Sequence, residues 1–180
     1  MAMVTTNGAA NQESAFWQFS LALYARPRVA DACLELQDSA GVDVNVMFYL
    51  LFLAIRERQV GRDDVARIDA LVAAWRERAV LPLRTLRRRL KTGIAPFPVK
   101  DTEPLRSAIK RIELDAEHIE QDMLERLAPA SDTGTPAASP AAAARANLAA
   151  YEMFLGSLPA AAVAILLDAC EGKTPGAEAR

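Results

Sequence analysis

Between Val44 and Ile55 the chain reads VNVMFYLLFLAI, twelve positions in which Asn45 is the only strongly polar side chain. A stretch that is apolar all round has to be covered all round, so it predicts the buried central helix of a small helical protein. Asp43 stands just before it, where a carboxylate accepts the unpaired N–H groups of a first turn; the residue reads as a cap rather than a catalytic acid. Asn45 must find hydrogen-bond partners in that core or cost about 1–3 kcal/mol. Twelve residues fall short of the ~20 that span a membrane, and Arg56, Glu57, Arg58 and Gln59 close the run.

Helical spacing extends to both sides. Asn11 is a candidate cap for a helix from Gln12 to Tyr24, and Phe16, Trp17, Phe19, Leu21 and Leu23 leave it little room for a polar stripe. Pro27 suits the first turn of the next helix, with Val29, Cys33, Leu34 and Leu36, before Ser39, Ala40 and Gly41 break it. After Gly61, the positions Val65, Ile68, Val72, Trp75, Ala79, Leu83, Leu86 and Leu90 recur at three- and four-residue steps, which lays them along one face. Pro82 removes a donor and should kink or divide that helix near Leu81. Leu105, Ile109, Ile112, Ala116, Ile119 and Met123 repeat the spacing, and two such stripes joined through 92–101 predict a long antiparallel helical hairpin. Residues 128–140 (APASDTGTPAASP) have the composition of a flexible linker. Later helices follow, one ending at Gly156 and another capped by Ser157 with Pro159 in its first turn.

The expected organisation is therefore a flexible start at 1–11, a helical core domain at 12–127, the linker at 128–140, C-terminal helices packed on the core at 141–170, and a flexible tail at 171–180. The fold class is all-α, a single-domain helical bundle. A length of 180 residues with 52% hydrophobic content suits one domain with a real core. Two cysteines, Cys33 and Cys170, do not make a disulfide framework, and Cys33 reads as a reduced core residue. The first fifteen residues lack the basic head and apolar centre of a secretory signal, which points to the cytoplasm.

Charge adds one local feature to a formal net of -2. Arg84, Arg87, Arg88 and Lys91 are spaced to form one outward basic ridge, with Arg89 beside them. From Arg62 to Lys91 there are nine basic and four acidic residues, and from Asp101 to Arg126 four basic and eight acidic. The two arms can neutralise each other, so intramolecular pairing competes with a protein or small-anion surface, and nucleic acid ranks last because no aromatics interleave the ridge. Glu113, Glu117 and Glu120 align on the second arm. Asp115 and His118 are three apart and could share a metal, but one pair and a single histidine do not make a site. No phosphate-cradling glycine loop, nucleophile elbow or clustered ligand set is present. No catalytic residue, metal or cofactor is therefore assigned. Should a ligand pocket form around the central helix, Tyr24, Asn45, Tyr49 and Trp75 are its candidate polar handles.

Three blocks in fixed order, FWQFSLALYARPRVADACLELQDSAGVDVNVMFYLLFLA, AWRERAVLPLRTLRRRLK and a Glu/Leu-rich helix, cover about residues 13–127. In these blocks the chain resembles a small proteobacterial family, domain of unknown function 2390. The resemblance implies one domain and no established reaction, substrate or catalytic residue. The leading expectation is a non-enzymatic interaction or accessory factor for another protein, with a homo-oligomer left open. Its competitors are a helical enzyme or ligand- or metal-binding protein with a pocket near Asn45, and an anion or nucleic-acid binder using the Arg84–Lys91 ridge.

Overall fold

The computed structural model describes residues 14–172; the expected start at 1–11, the Asn11 cap with its helix from Gln12, and the tail after Gly172 lie outside them. The chain is all-α. Its helices are α1 (Ala15–Tyr24), α2 (Val29–Ala40), α3 (Val44–Ile55), α4 (Arg62–Trp75), α5 (Leu81–Thr92), α6 (Val99–Leu127), α7 (Pro140–Leu155) and α8 (Ala160–Cys170). A π-helical turn, Arg76–Val80, joins α4 to α5. One small antiparallel ribbon pairs β1 (Arg58–Gln59) with β2 (Thr135–Pro136).

In α3, every residue from Asn45 to Ala54 is buried. The Asp43 carboxylate caps it as expected, accepting from Asn45 N–H at 2.9 Å and Val46 N–H at 3.3 Å. Its most extensive neighbour is α7, with α6 and α1 covering the remaining sides. Asn147 of α7 explains part of this. Fully buried, it accepts from Val60 N–H at 2.8 Å and donates to the carbonyls of Leu50 and Arg58 at 2.9 and 3.0 Å. The Arg58 carbonyl and Val60 N–H lie beyond the end of α3, where the helix can no longer supply partners, and the Leu50 contact fastens α7 to the body of α3. Cys33 and Cys170 are both free, and burial pushes the Cys33 thiol up to about 12.

Several boundaries differ from the sequence reading for local reasons. Ser14 caps α1 by accepting from Trp17 N–H. Pro27 lies in the turn before α2, whose first residue is Val29. Ser139, not anticipated as a cap, accepts from Ala142 N–H to start α7, while α8 begins after Pro159 without a side-chain cap from Ser157. Leu21 and Leu34 face outward on otherwise covered helices. Segment 128–140, expected as a linker, is tied to the core: Tyr49 Oη donates to the Ala128 carbonyl, Arg58 donates to the carbonyls of Thr133 and Gly134 at 2.9 and 2.6 Å, and Ala137 N–H donates to Glu57 O at 2.8 Å.

Pro82 does divide the helical path near Leu81. It occupies the first turn of α5, and the turn before it is π-helical, with Leu81 N–H reaching back five residues to the Arg76 carbonyl. A proline cannot donate to the carbonyl four residues earlier, and widening the preceding turn accommodates that loss. α6 packs along both α4 and α5, but its buried face is not the stripe read from the sequence. The inward residues are Ile109, Glu113, Ala116, Glu120, Gln121 and Leu124. Leu105, Ile112 and Ile119 are about half exposed instead, as is Leu86 on α5.

Candidate functional site

The rotation of α6 brings carboxylates inward, opposite the π turn and the start of α3. Gly41 ends α2 in the left-handed region, at φ 66°, which suits a residue without a Cβ. Two residues later Asp43 is held from three sides. Its N–H donates to Tyr151 Oη at 3.1 Å, and its Oδ2 accepts from Arg76 Nη1 at 2.8 Å. Arg76 also grips both oxygens of Asp69, at 2.7 and 3.1 Å. The π turn therefore presents a guanidinium that ties α4 to the cap of α3.

Beside this junction lies a cleft of about 190 Å³, walled by Gln37 and Asp38 of α2, the Gly41–Asp43 connection, Asn45 of α3, Arg76 and Val80 of the π turn, Leu81, Arg84 and Arg88 of α5, and Glu120 of α6. It has room for roughly six waters at about 30 Å³ each. Each of its arginines is already matched. Arg84 donates to Glu113 at 3.1 Å and to Glu117 at 2.6 Å, and Arg88 donates to Asp38 at 2.7 Å. Arg87, behind Arg84, also donates to both oxygens of Glu113. Burial works against ionisation of Glu113, but the hydrogen bonds and charges of Arg87 and Arg84 outweigh it and hold its carboxyl below the ordinary carboxylate value. At Glu117, burial wins over Arg84 and the carboxyl is raised.

Glu120 is the exception in this balanced cluster. It is 1% exposed, and neither of its oxygens has a well-formed hydrogen bond among the described residues, although the side chains of Asp43 and Asn45 lie close enough to affect its ionisation. Burial, followed by the negative charge of Asp43 and a hydrogen bond to it, pushes its carboxyl up to about 9 against the opposing pull of Arg76 and Asn45. At neutral pH the group is therefore a neutral acid, and its O–H can be given to the Asp43 carboxylate beside it. A buried carboxyl on a cleft wall without a basic partner is unlike the other glutamates of α6, and such groups concentrate where proteins bind or react.

Of the four candidate handles, Asn45 alone lines the cleft; its Oδ1 accepts from Gln121 Nε2 at 2.9 Å. Tyr49 is a core residue bonded to the Ala128 carbonyl, Tyr24 packs edge-on against Phe48 at the surface, and Trp75 donates its indole N–H to Ala116 O at 2.9 Å. The outward basic ridge is also reduced. The Arg84 and Arg87 side chains are only 16% and 25% exposed because Glu113 and Glu117 draw them toward α6, which leaves Arg88, Arg89 and Lys91 outside. Asp115 is exposed, whereas His118 stacks on Trp17 at 4.0 Å and faces Asp122 at 3.6 Å. Among the described residues, no group of three or more His, Cys, Asp or Glu side chains is placed to hold a metal ion, and no helix is long and apolar enough to cross a membrane. Arg76 was missed from sequence, and Glu120 was read only as one of the aligned carboxylates of the second arm, not singled out for the pocket. Their available signals were the helical break before Pro82 and the position of Glu120 four residues after Ala116 and four before Leu124.

Comparison with curated proteins and with solved structures finds no match. A family comparison does find one, described as Protein of unknown function (DUF2390), over residues 15–124. That stretch contains α1 to α5, most of α6 and every residue that lines the cleft. The cleft is thus a feature of the matched region rather than of the α7–α8 cover, and the chain belongs to the DUF2390 family of proteins of unknown function.

Proposed function

We propose that the protein binds a small polar molecule in the cleft between α2, α3, the π turn and α6. Binding and release, rather than a chemical step, are its activity. The observation that carries this reading is Glu120, a buried carboxyl on the wall of the cleft with no well-formed hydrogen bond to either oxygen among the described residues. Burying an unsatisfied polar group costs on the order of 1–3 kcal/mol, and a core residue at this position would avoid that cost. The cleft is smaller than the roughly 300 Å³ at which sites for drug-sized ligands begin, so its ligand is a compact metabolite. A thermal-shift screen of small polar metabolites tests this, run on wild type and on Leu81→Trp, which fills the rim from a half-exposed position. A hit should raise the wild-type melting temperature in a concentration-dependent way and leave the folded Leu81→Trp protein unchanged. Absence of any hit, or equal shifts in both proteins, would contradict the proposal.

A second reading, the interaction or accessory factor for another protein, draws its support from the surface of α6. Leu105, Ile112 and Ile119 fall at seven-residue steps and stand 55%, 52% and 49% exposed, a narrow apolar stripe beside the buried face. Arg88, Arg89 and Lys91 would supply its charged margin. Light scattering and affinity recovery with wild type and Ile112→Glu test it. Loss of a recovered protein partner or of a dimer in the variant supports the reading, and identical behaviour of both folded proteins removes it.

A further inference from the structure

The charge inventory of the cleft restricts the chemistry of what it holds. This step rests on reading the cleft as a ligand site. Facing it or one residue behind it are the guanidinium groups of Arg76 on the π turn and of Arg84, Arg87 and Arg88 on α5. Against them stand the carboxylates of Asp38 on α2, Asp43 before α3, Asp69 on α4, and Glu113 and Glu117 on α6. Tyr151 of α7 reaches the same junction through the Asp43 backbone. Four cations meet five anions before Glu120 is counted, and every guanidinium already donates to a carboxylate. The charge of each guanidinium is thus already met, and an incoming anion would have to share it with a carboxylate. The group left without an ion-pair partner is of the opposite kind, the Glu120 carboxyl, neither of whose oxygens has a well-formed hydrogen bond among the described residues.

We infer that the ligand is a small organic cation, an ammonium or guanidinium compound, whose N–H groups are accepted by the Glu120 carboxylate after that carboxyl gives up its proton to solvent. The exchange balances: one O–H bond breaks at Glu120, the proton goes to buffer, and N–H···O contacts to a fixed positive charge replace it. Asp43 shares the site and favours the same sign of charge. Ionised Glu120 is then paired in the bound state and neutral in the free state, so neither state leaves an uncompensated charge in the core. Binding is accordingly linked to pH, tightening as pH rises toward the value at which the free carboxyl ionises unaided.

The experiment is isothermal titration of the full-length protein at pH 7 with n-butylammonium, 1,4-diaminobutane and methylguanidinium, set against butyrate and inorganic phosphate, in two buffers of different ionisation heat. At least one cation should saturate the protein with the release of about one proton. Glu120→Gln, which keeps the shape and neutrality of the free state, should weaken that binding about tenfold or more and abolish the proton release. Cation binding without buffer dependence would overturn the inference. Binding of the anions alone would overturn it too, while leaving the ligand-site reading in place. No binding by any probe would also count against the cation, and only a negative metabolite screen would remove the site itself.

Discussion

Replacing Glu120 by Gln should make the protein more stable at neutral pH and reshape its pH profile. In the folded chain the Glu120 carboxyl is raised from its ordinary 4.5 to about 9, chiefly by burial and next by Asp43. Below 4.5 both folded and unfolded chains carry the proton, and the group imposes no cost. As pH rises above 4.5 the unfolded carboxyl ionises while the folded one stays protonated, so the unfolded state binds fewer protons and stability falls by about 1.4 kcal/mol per pH unit. From 4.5 to 7 the accumulated loss is roughly 3 kcal/mol, and it continues to about pH 9, above which both states are ionised and it stops growing. Glutamine cannot titrate. Urea denaturation of both proteins from pH 4.5 to 8 reads the difference directly, and the ion pairs of Glu113 and Glu117, common to both, largely cancel. Near pH 4.5 the two should be similar; by pH 7 the variant should lead by roughly 3 kcal/mol. Parallel profiles would show that Glu120 has an ordinary carboxyl, and the electrostatic account of the cleft would fail with it.

Three further substitutions follow from named contacts. Asn45→Leu strands the buried Gln121 amide that donates to it and should cost about 1–3 kcal/mol by denaturant midpoint; unchanged stability with lost ligand binding would instead make Asn45 a purely functional residue. Asn147→Ala removes three hydrogen bonds at once, two of them fully buried, and should cost about 3 kcal/mol, and a loss below about 1 kcal/mol would mean that water replaces the amide. Gly134→Ala places a Cβ 2.3 Å from the Gln59 carbonyl oxygen at φ +69°, so it should separate β2 from β1 and speed amide exchange at Ala137, whose N–H is bonded to Glu57; unaltered exchange would contradict that packing.

The central helix, its Asp43 cap and the break near Pro82 were legible because each depends on neighbours within a few residues. The orientation of α6 was not. Its sequence offers two overlapping faces, Leu105–Ile109–Ile112–Ala116–Ile119 and Ile109–Glu113–Ala116–Glu120–Leu124, and apolar periodicity favours the first. The second is buried because Arg84 and Arg87 on α5 satisfy Glu113, and partners supplied from another helix leave no mark in the local pattern. The same reasoning accounts for Asn147, a lone amide in an alanine-rich helix whose three partners are supplied by α3 and by residues 58–60. Segment 128–140 was read from its Pro, Ser and Ala content as a linker, but Arg58 and the Glu57 carbonyl, more than seventy residues upstream, hold it. Asn45 was recognisable as a polar residue in an apolar helix. That it lines a cleft became evident only once Arg76 and Glu120 stood beside it.

The ligand-site account is tested most directly by a two-dimensional NMR titration of the 15N-labelled wild-type protein with a molecule that shifts its melting temperature. The backbone amides of Gly41 to Asn45, of Val80 and Leu81, and of Glu120 should move together along one saturable curve, since these residues wall the same cleft. Shifts confined to Leu105, Ile112 and Ile119, with the cleft amides unmoved, would contradict the account and place the binding surface on the exposed face of α6.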